Sequence, residues 1–173
     1  MKSKLWKQTM KTHIQLALVG LATGFITPAF SQTTSKDLVG TRTLVSVTVE
    51  YDGKKTDFFG ANPQGQLTLD PDGRFSLIIT RSDVPHFASN SRDTGTPEEN
   101  KASVQGSIAY FGTYLVSDAD NVIKFHVDGS TYPNWQDTDQ ERLFKLSGDE
   151  LTLTNPTTST GAGTAYSVWK VEK

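Results

Sequence analysis

Beyond residue 31, turn-forming residues interrupt this chain at short intervals. Few of the apolar stretches between them are long enough for anything but a strand. Asp52-Gly53, Asn62-Pro63, Asp70-Pro71-Asp72-Gly73, Asp118-Ala119-Asp120-Asn121, Asp128-Gly129, Ser147-Gly148-Asp149 and Asn155-Pro156 each break an apolar run. Such residues turn a chain by positive φ, by preset φ, or by local side-chain hydrogen bonds. The stretches between them are rich in β-branched and aromatic residues and read as strands. They run roughly over 40–51, 65–70, 74–81, 109–117, 122–128, 141–146, 150–154 and 164–171. Phe75, Leu77, Ile79 and Arg81 share one strand face, and Ile123, Phe125 and Val127 share another. Eight strands joined mostly by short turns predict an all-β, antiparallel up-and-down barrel, which removes exposed sheet edges. A two-sheet sandwich is the alternative.

One short helix is expected. Thr96-Pro97-Glu98-Glu99 is a capping box with proline at the first helical position, and its acids suit the helix dipole. The helix should run through Ala102 and fade near Gly106. The polar residues 82–95 before it read as a long loop, able to serve as a lid.

Residues 1–31 read as a secretory signal peptide. Lys2, Lys4, Lys7 and Lys11 form a basic leader, Ile14 to Phe25 is mostly apolar, and Pro28, Ala29 and Ser31 form a small-x-small cleavage pattern. A membrane anchor is the alternative, but the apolar run is short for a bilayer. The expected protein is therefore exported, periplasmic or secreted, with no integral membrane span after cleavage. Residues 32–173 form its one domain, a single core's worth of chain. Removing four lysines from 17 basic residues leaves 13 against 19 acids, a net charge of −6. Such a domain repels phosphate backbones, which argues against nucleic-acid binding. There is no cysteine, so no disulfide supports the core.

Several side chains stand out from the plain alternation. Arg81 ends an apolar strand face and could clamp a ligand carboxylate or enolate, or simply reach for water. Tyr110 and Tyr114 share a strand face with Gly112 between them, which leaves space for a ligand or only for packing. His126 lies opposite Ile123, Phe125 and Val127. It is an acid–base group if that strand is covered on both sides, and an ordinary surface residue otherwise. Trp135, in the connection after Tyr132, could cap a cavity mouth. Arg142 begins the next strand, where pairing with Asp128 or Glu141 is the simpler account. The two histidines of the domain, His86 and His126, lack metal-ligand spacing, and Asp118-Ala119-Asp120-Asn121 lacks the rest of a calcium loop, so no metal is expected. No phosphate loop, nucleophile elbow or catalytic cysteine is present, and no cofactor is implied.

Taken together, certain residues resemble the bacterial lipocalin-like domain family, a calycin-type barrel. They are Leu38-Val39-Gly40-Thr41 with Leu44-Val45-Ser46, Phe59-Gly60-Ala61-Asn62-Pro63-Gln64-Gly65, and Pro71-Asp72-Gly73-Arg74-Phe75-Ser76 with Arg81. Pro97-Glu98-Glu99, Ala109 to Tyr114, His126, Pro133-Asn134-Trp135, Arg142-Leu143-Phe144 and Leu146 to Leu153 continue the pattern. The resemblance implies an eight-stranded lipocalin-like barrel with an internal cavity. The chain departs from the pattern at Arg42, where such barrels usually carry a tryptophan that plugs one end. Trp169 is the residue placed to compensate.

Two functions fit. One is binding of a small hydrophobic or amphipathic molecule inside the barrel, with Arg81, Tyr110, Tyr114, His126, Trp135 and Arg142 as candidate contacts. The other is a cofactor-independent isomerase, cyclase or hydratase, in which His126 or Tyr110 moves a proton and Arg81 stabilises negative charge. The second requires His126 and Arg81 to share one cavity.

Overall fold

The structure is a computed structural model that describes residues 35–171. The expected leader lies outside the described residues. All eight expected strands form, with ends shifted by at most a few residues. In chain order they are β1 (Gly40–Tyr51), β3 (Gln64–Leu69), β4 (Arg74–Thr80), β5 (Ser107–Ser117), β6 (Val122–Ser130), β7 (Thr138–Ser147), β8 (Glu150–Asn155) and β9 (Thr164–Val171). A ninth, β2 (Lys54–Asp57), carries no apolar residue and is fully exposed, so alternation could not reveal it. It exists because Asp52 and Gly53 both take positive φ, 49° and 70°, which makes a two-residue hairpin turn that matches strand twist.

Each strand from β3 to β9 pairs antiparallel with the next. β1 then pairs with both β3 and β9, and this closes the sheet. The result is the expected up-and-down barrel of eight strands, with β2 as a flap on the distal half of β1. A bulge between Leu44 and Ser46 on β1 turns both Leu44 and Val47 inward and leaves Val45 exposed.

Inside, an aromatic ladder runs along the barrel. Tyr114 meets Phe125, Phe125 meets Phe75 at 4.6 Å, and Phe75 meets Tyr110 at 5.7 Å. Leu67, Leu69, Ile123, Val127 and Leu151 pack around it, fully buried. Gly112 lies between the two tyrosines for a backbone reason. A Cβ there would lie 2.0 Å from the His126 carbonyl oxygen of β6, so the space serves strand pairing and not a ligand.

One end of the barrel is sealed. A single helical turn, α1 (Ser35–Leu38), lies across it, and the buried Arg42 donates to the Leu38 and Asp37 carbonyls. Those are end-of-helix acceptors that the turn itself cannot satisfy. Burial pulls the Arg42 pKa below the ordinary arginine value. Where such barrels usually carry a tryptophan, Arg42 closes the end by hydrogen bonding. Trp169, fully buried on β9, supplies the bulk, its indole N–H donating to Ser167 Oγ at 2.8 Å. The Tyr114 hydroxyl donates to the Asp70 carbonyl at 2.8 Å and tightens the same end.

The second helix, α2 (Pro97–Gln105), has the expected capping box. Thr96 Oγ1 accepts from the Glu99 N–H at 3.2 Å, and a Glu99 oxygen accepts from the Thr96 N–H at 2.8 Å. The other Glu99 oxygen accepts from the Ala88 N–H at 2.8 Å, which fastens the 82–95 loop to the helix. No described helix is long and apolar enough to cross a membrane.

Two substitutions test the sealed end by urea unfolding. Trp169→Ala should lower stability by about 3–5 kcal/mol, as for other large aromatic truncations in cores. Arg42→Ala should cost about 1–3 kcal/mol by stripping the helix-end carbonyls of their donor.

Candidate ligand-binding site

The aromatic ladder stops at Tyr110, and the barrel beyond it is not filled. A chamber of about 70 Å³ remains near the open end. Its apolar wall comes from inward positions of the strands: Val47 and Val49 on β1, Leu77 and Ile79 on β4, Ile108 on β5 and Leu153 on β8. Ala165 and Ser167 of β9 are small, and this leaves the volume open. Phe58 and Phe59 follow β2 and form an edge-to-face pair at 5.1 Å on the outer side of the chamber. With Ile108, Ser159 and Thr160 they also line a larger groove at the barrel mouth, of about 430 Å³. Thr158, which lines the chamber, donates to the Ala162 carbonyl at 2.7 Å within the β8–β9 loop.

Tyr110, Trp135 and Arg142 form one polar side of the chamber, and Asn155, Thr158 and Ser167 add neutral polar groups on another. Arg142 is 3% exposed, because it alternates with Phe144 and Leu146 on the inward face of β7. Neither expected carboxylate pairs with it. Asp128 bridges to Arg74 at 3.7 Å, and Glu141 offers Arg142 only its backbone carbonyl, at 2.8 Å. Gln140 Oε1 accepts from the guanidinium at 3.4 Å, and the Trp135 ring lies 5.6 Å from its centre. Trp135 is held in a 3₁₀ turn (Pro133–Trp135), its carbonyl accepting from Thr138 Oγ1 at 2.7 Å. The Tyr110 ring stands edge-on to Trp135 at 5.2 Å. Burial raises the Tyr110 pKa, while the charge of Arg142 and a hydrogen bond from it act the other way. The phenol is neutral at ordinary pH.

The remaining candidates lie elsewhere. Tyr114 belongs to the sealed end, where burial and the nearby Asp70 and Asp72 raise its pKa. Arg81 stands at the mouth, bound through two nitrogens to Asp83 at 2.8 and 2.7 Å. His126 is on the outer face of β6, with Nδ1 2.9 Å from Asp139, which also pairs with Lys124. Thus Tyr110, Trp135 and Arg142 come together, whereas Arg81 and His126 share no cavity. The convergence required for proton transfer between those two is not met. Among the described residues no three metal-binding side chains converge. Phe58, Phe59, Thr158 and Ser167 were not expected. The paired phenylalanines were the one visible signal, since loop residues carry no periodicity.

Tyr110 gives a pH prediction. Its pKa is higher folded than unfolded, so its contribution is fully present below about 10, the ordinary phenol value. It is lost as pH rises further, because the unfolded chain ionises first. Tyr110→Phe should therefore show a shallower alkaline loss of stability in urea titrations above about pH 10.

Comparison with known proteins agrees with this architecture. The lipocalin-like domain family matches residues 39–171. A 4'-hydroxy-3'-methoxypropiophenone carrier protein of Aspergillus oryzae is 31% identical over 84 residues, which cover 45% of this chain and 76% of that protein. With the closed eight-stranded barrel and the match along nearly all of its length, the chain belongs to the lipocalin-like domain family.

Proposed function

We propose that this protein carries a small, largely apolar molecule in the chamber at the open end of its barrel. The observation that carries the reading is the unfilled, mostly apolar interior that opens toward a wider mouth. Small-molecule sites have this character: apolar walls with a few convergent polar groups that fix orientation. The similar Aspergillus protein is named as the carrier of an acylphenol, a small ring bearing oxygen substituents. That supports a ligand of comparable class here, an oxygenated aromatic or similar amphipathic molecule. The enzyme reading has less support, because His126 and Arg81 lie outside the chamber and Tyr110 is a neutral phenol. The basic, apolar leader and its small-residue cleavage pattern support export, with Gln32 as the first residue of the mature chain.

The test is ligand retention. Native mass spectrometry of the protein purified from its own host should show a bound small molecule, released on denaturation. Calorimetry with small aromatic ketones should show a negative heat-capacity change, the mark of apolar burial. Ala165→Leu projects into the chamber and should abolish binding while the barrel still unfolds cooperatively. An empty protein that binds no aromatic probe would overturn the carrier reading. His126→Ala should leave affinity within about twofold of wild type, as for a surface substitution.

A further inference from the structure

Arg142 is a buried cation without an anion. Six ion pairs exist among the described residues, and all lie on partly or fully exposed side chains; none involves Arg142. Burying an unpaired charge is costly, and proteins normally match it with a carboxylate. This guanidinium has five N–H donors. Against them stand one backbone carbonyl, a long contact to Gln140 and the Trp135 ring face. Donors are therefore left over on a side chain that lines the chamber. Beside it the neutral Tyr110 hydroxyl lines the same chamber and has a proton to donate. The chamber thus presents a fixed positive charge and a neutral O–H donor on a mostly apolar wall, with Asn155, Thr158 and Ser167 among its neutral polar side chains toward β8 and β9.

The sizes of the two spaces set the orientation of a ligand. A cavity of about 150 Å³ is known to take up benzene. At about 70 Å³ the inner chamber holds less than a ring and suits a compact head group. The mouth, lined by Phe58, Phe59, Val104 and Tyr132, has room for the body. The other arginine nearby offers no competing seat, since Arg81 is already neutralised by Asp83.

We propose that the chamber is an oxyanion seat. The ligand is a small organic anion, a carboxylate or a comparably delocalised oxyanion, that enters head first. Its charged group rests on Arg142 and Tyr110, and its apolar body crosses the Phe58–Phe59 pair into the mouth. The inference rests on the carrier reading and gives it a chemical class.

The experiment is calorimetry on the mature chain with matched pairs of aryl and alkyl carboxylates and their primary amides, at neutral pH. Wild type should prefer each bound carboxylate over its amide by about tenfold or more, the worth of one charge-assisted hydrogen bond. Arg142→Gln should weaken the carboxylate by roughly 10- to 100-fold and the amide by less than about threefold. Arg142→Lys, which keeps the charge, should recover part of the loss. Equal affinity for amide and carboxylate in wild type would overturn the oxyanion seat and leave the carrier reading standing. So would an equal loss of both ligands in Arg142→Gln with no recovery in Arg142→Lys. A wild-type chain that binds no member of either series would overturn both. If Arg142→Gln does not fold, the wild-type preference and the lysine variant decide.

Discussion

β1 is hydrogen-bonded along both edges, to β3 on one side and β9 on the other. Every other property of the molecule depends on that double pairing. It turns a row of antiparallel strands into a tube without a free edge, which is how barrels avoid templating aggregation. Closure at eight strands also fixes the bore: wide enough for side chains to fill or for one small ligand to enter. This chain does both along a single axis. Large rings occupy the bore from Arg42 and Trp169 up to Tyr110, and small residues, Ala165 and Ser167, occupy the corresponding wall beyond. The chamber is thus a change of residue size within an unchanged backbone.

Two buried arginines show how differently one interior can treat the same group. Arg42 spends its donors on the last carbonyls of α1, groups that need a donor in any case. Its charge sits where helix-end carbonyls concentrate negative potential. Arg142 has weaker partners and faces open volume. The first ends on backbone carbonyls, with its Nε left unpaired in the packed end, and the second lines a cavity. What distinguishes the two is what each faces, packed core or open volume, since burial is nearly the same for both, at 2% and 3% exposure.

Most of the fold was legible in the sequence because strand alternation and turn chemistry are local signals. The capping box at Thr96 and the eight core-facing strands needed nothing more. β2 escaped because its pairing is set by the Asp52-Gly53 turn, without any buried side chain. The site was harder to read. Period-two alternation places Arg81 inward with Ile79, and Arg142 inward with Phe144, on equal terms. What separates them is depth: Arg81 falls one residue past its strand, at the rim, with Asp83 in reach, whereas Arg142 lies within its own strand. His126 was ambiguous for a related reason. Alternation sets it opposite Phe125, and only closure of the barrel establishes that the opposite face is solvent.

The pairing of Arg42 with Val171 joins nearly the first described residue of the barrel to the last. No segment shorter than the whole domain can complete the tube. Until Thr164 to Val171 are available, β1 and β8 each present an unpaired edge, and the interior lacks Trp169. Such long-range closure is entropically delayed and makes folding slow compared with locally wired folds. A chain of this topology stays open throughout its synthesis, and its cavity comes into being only in the final step, when the last strand docks against the first.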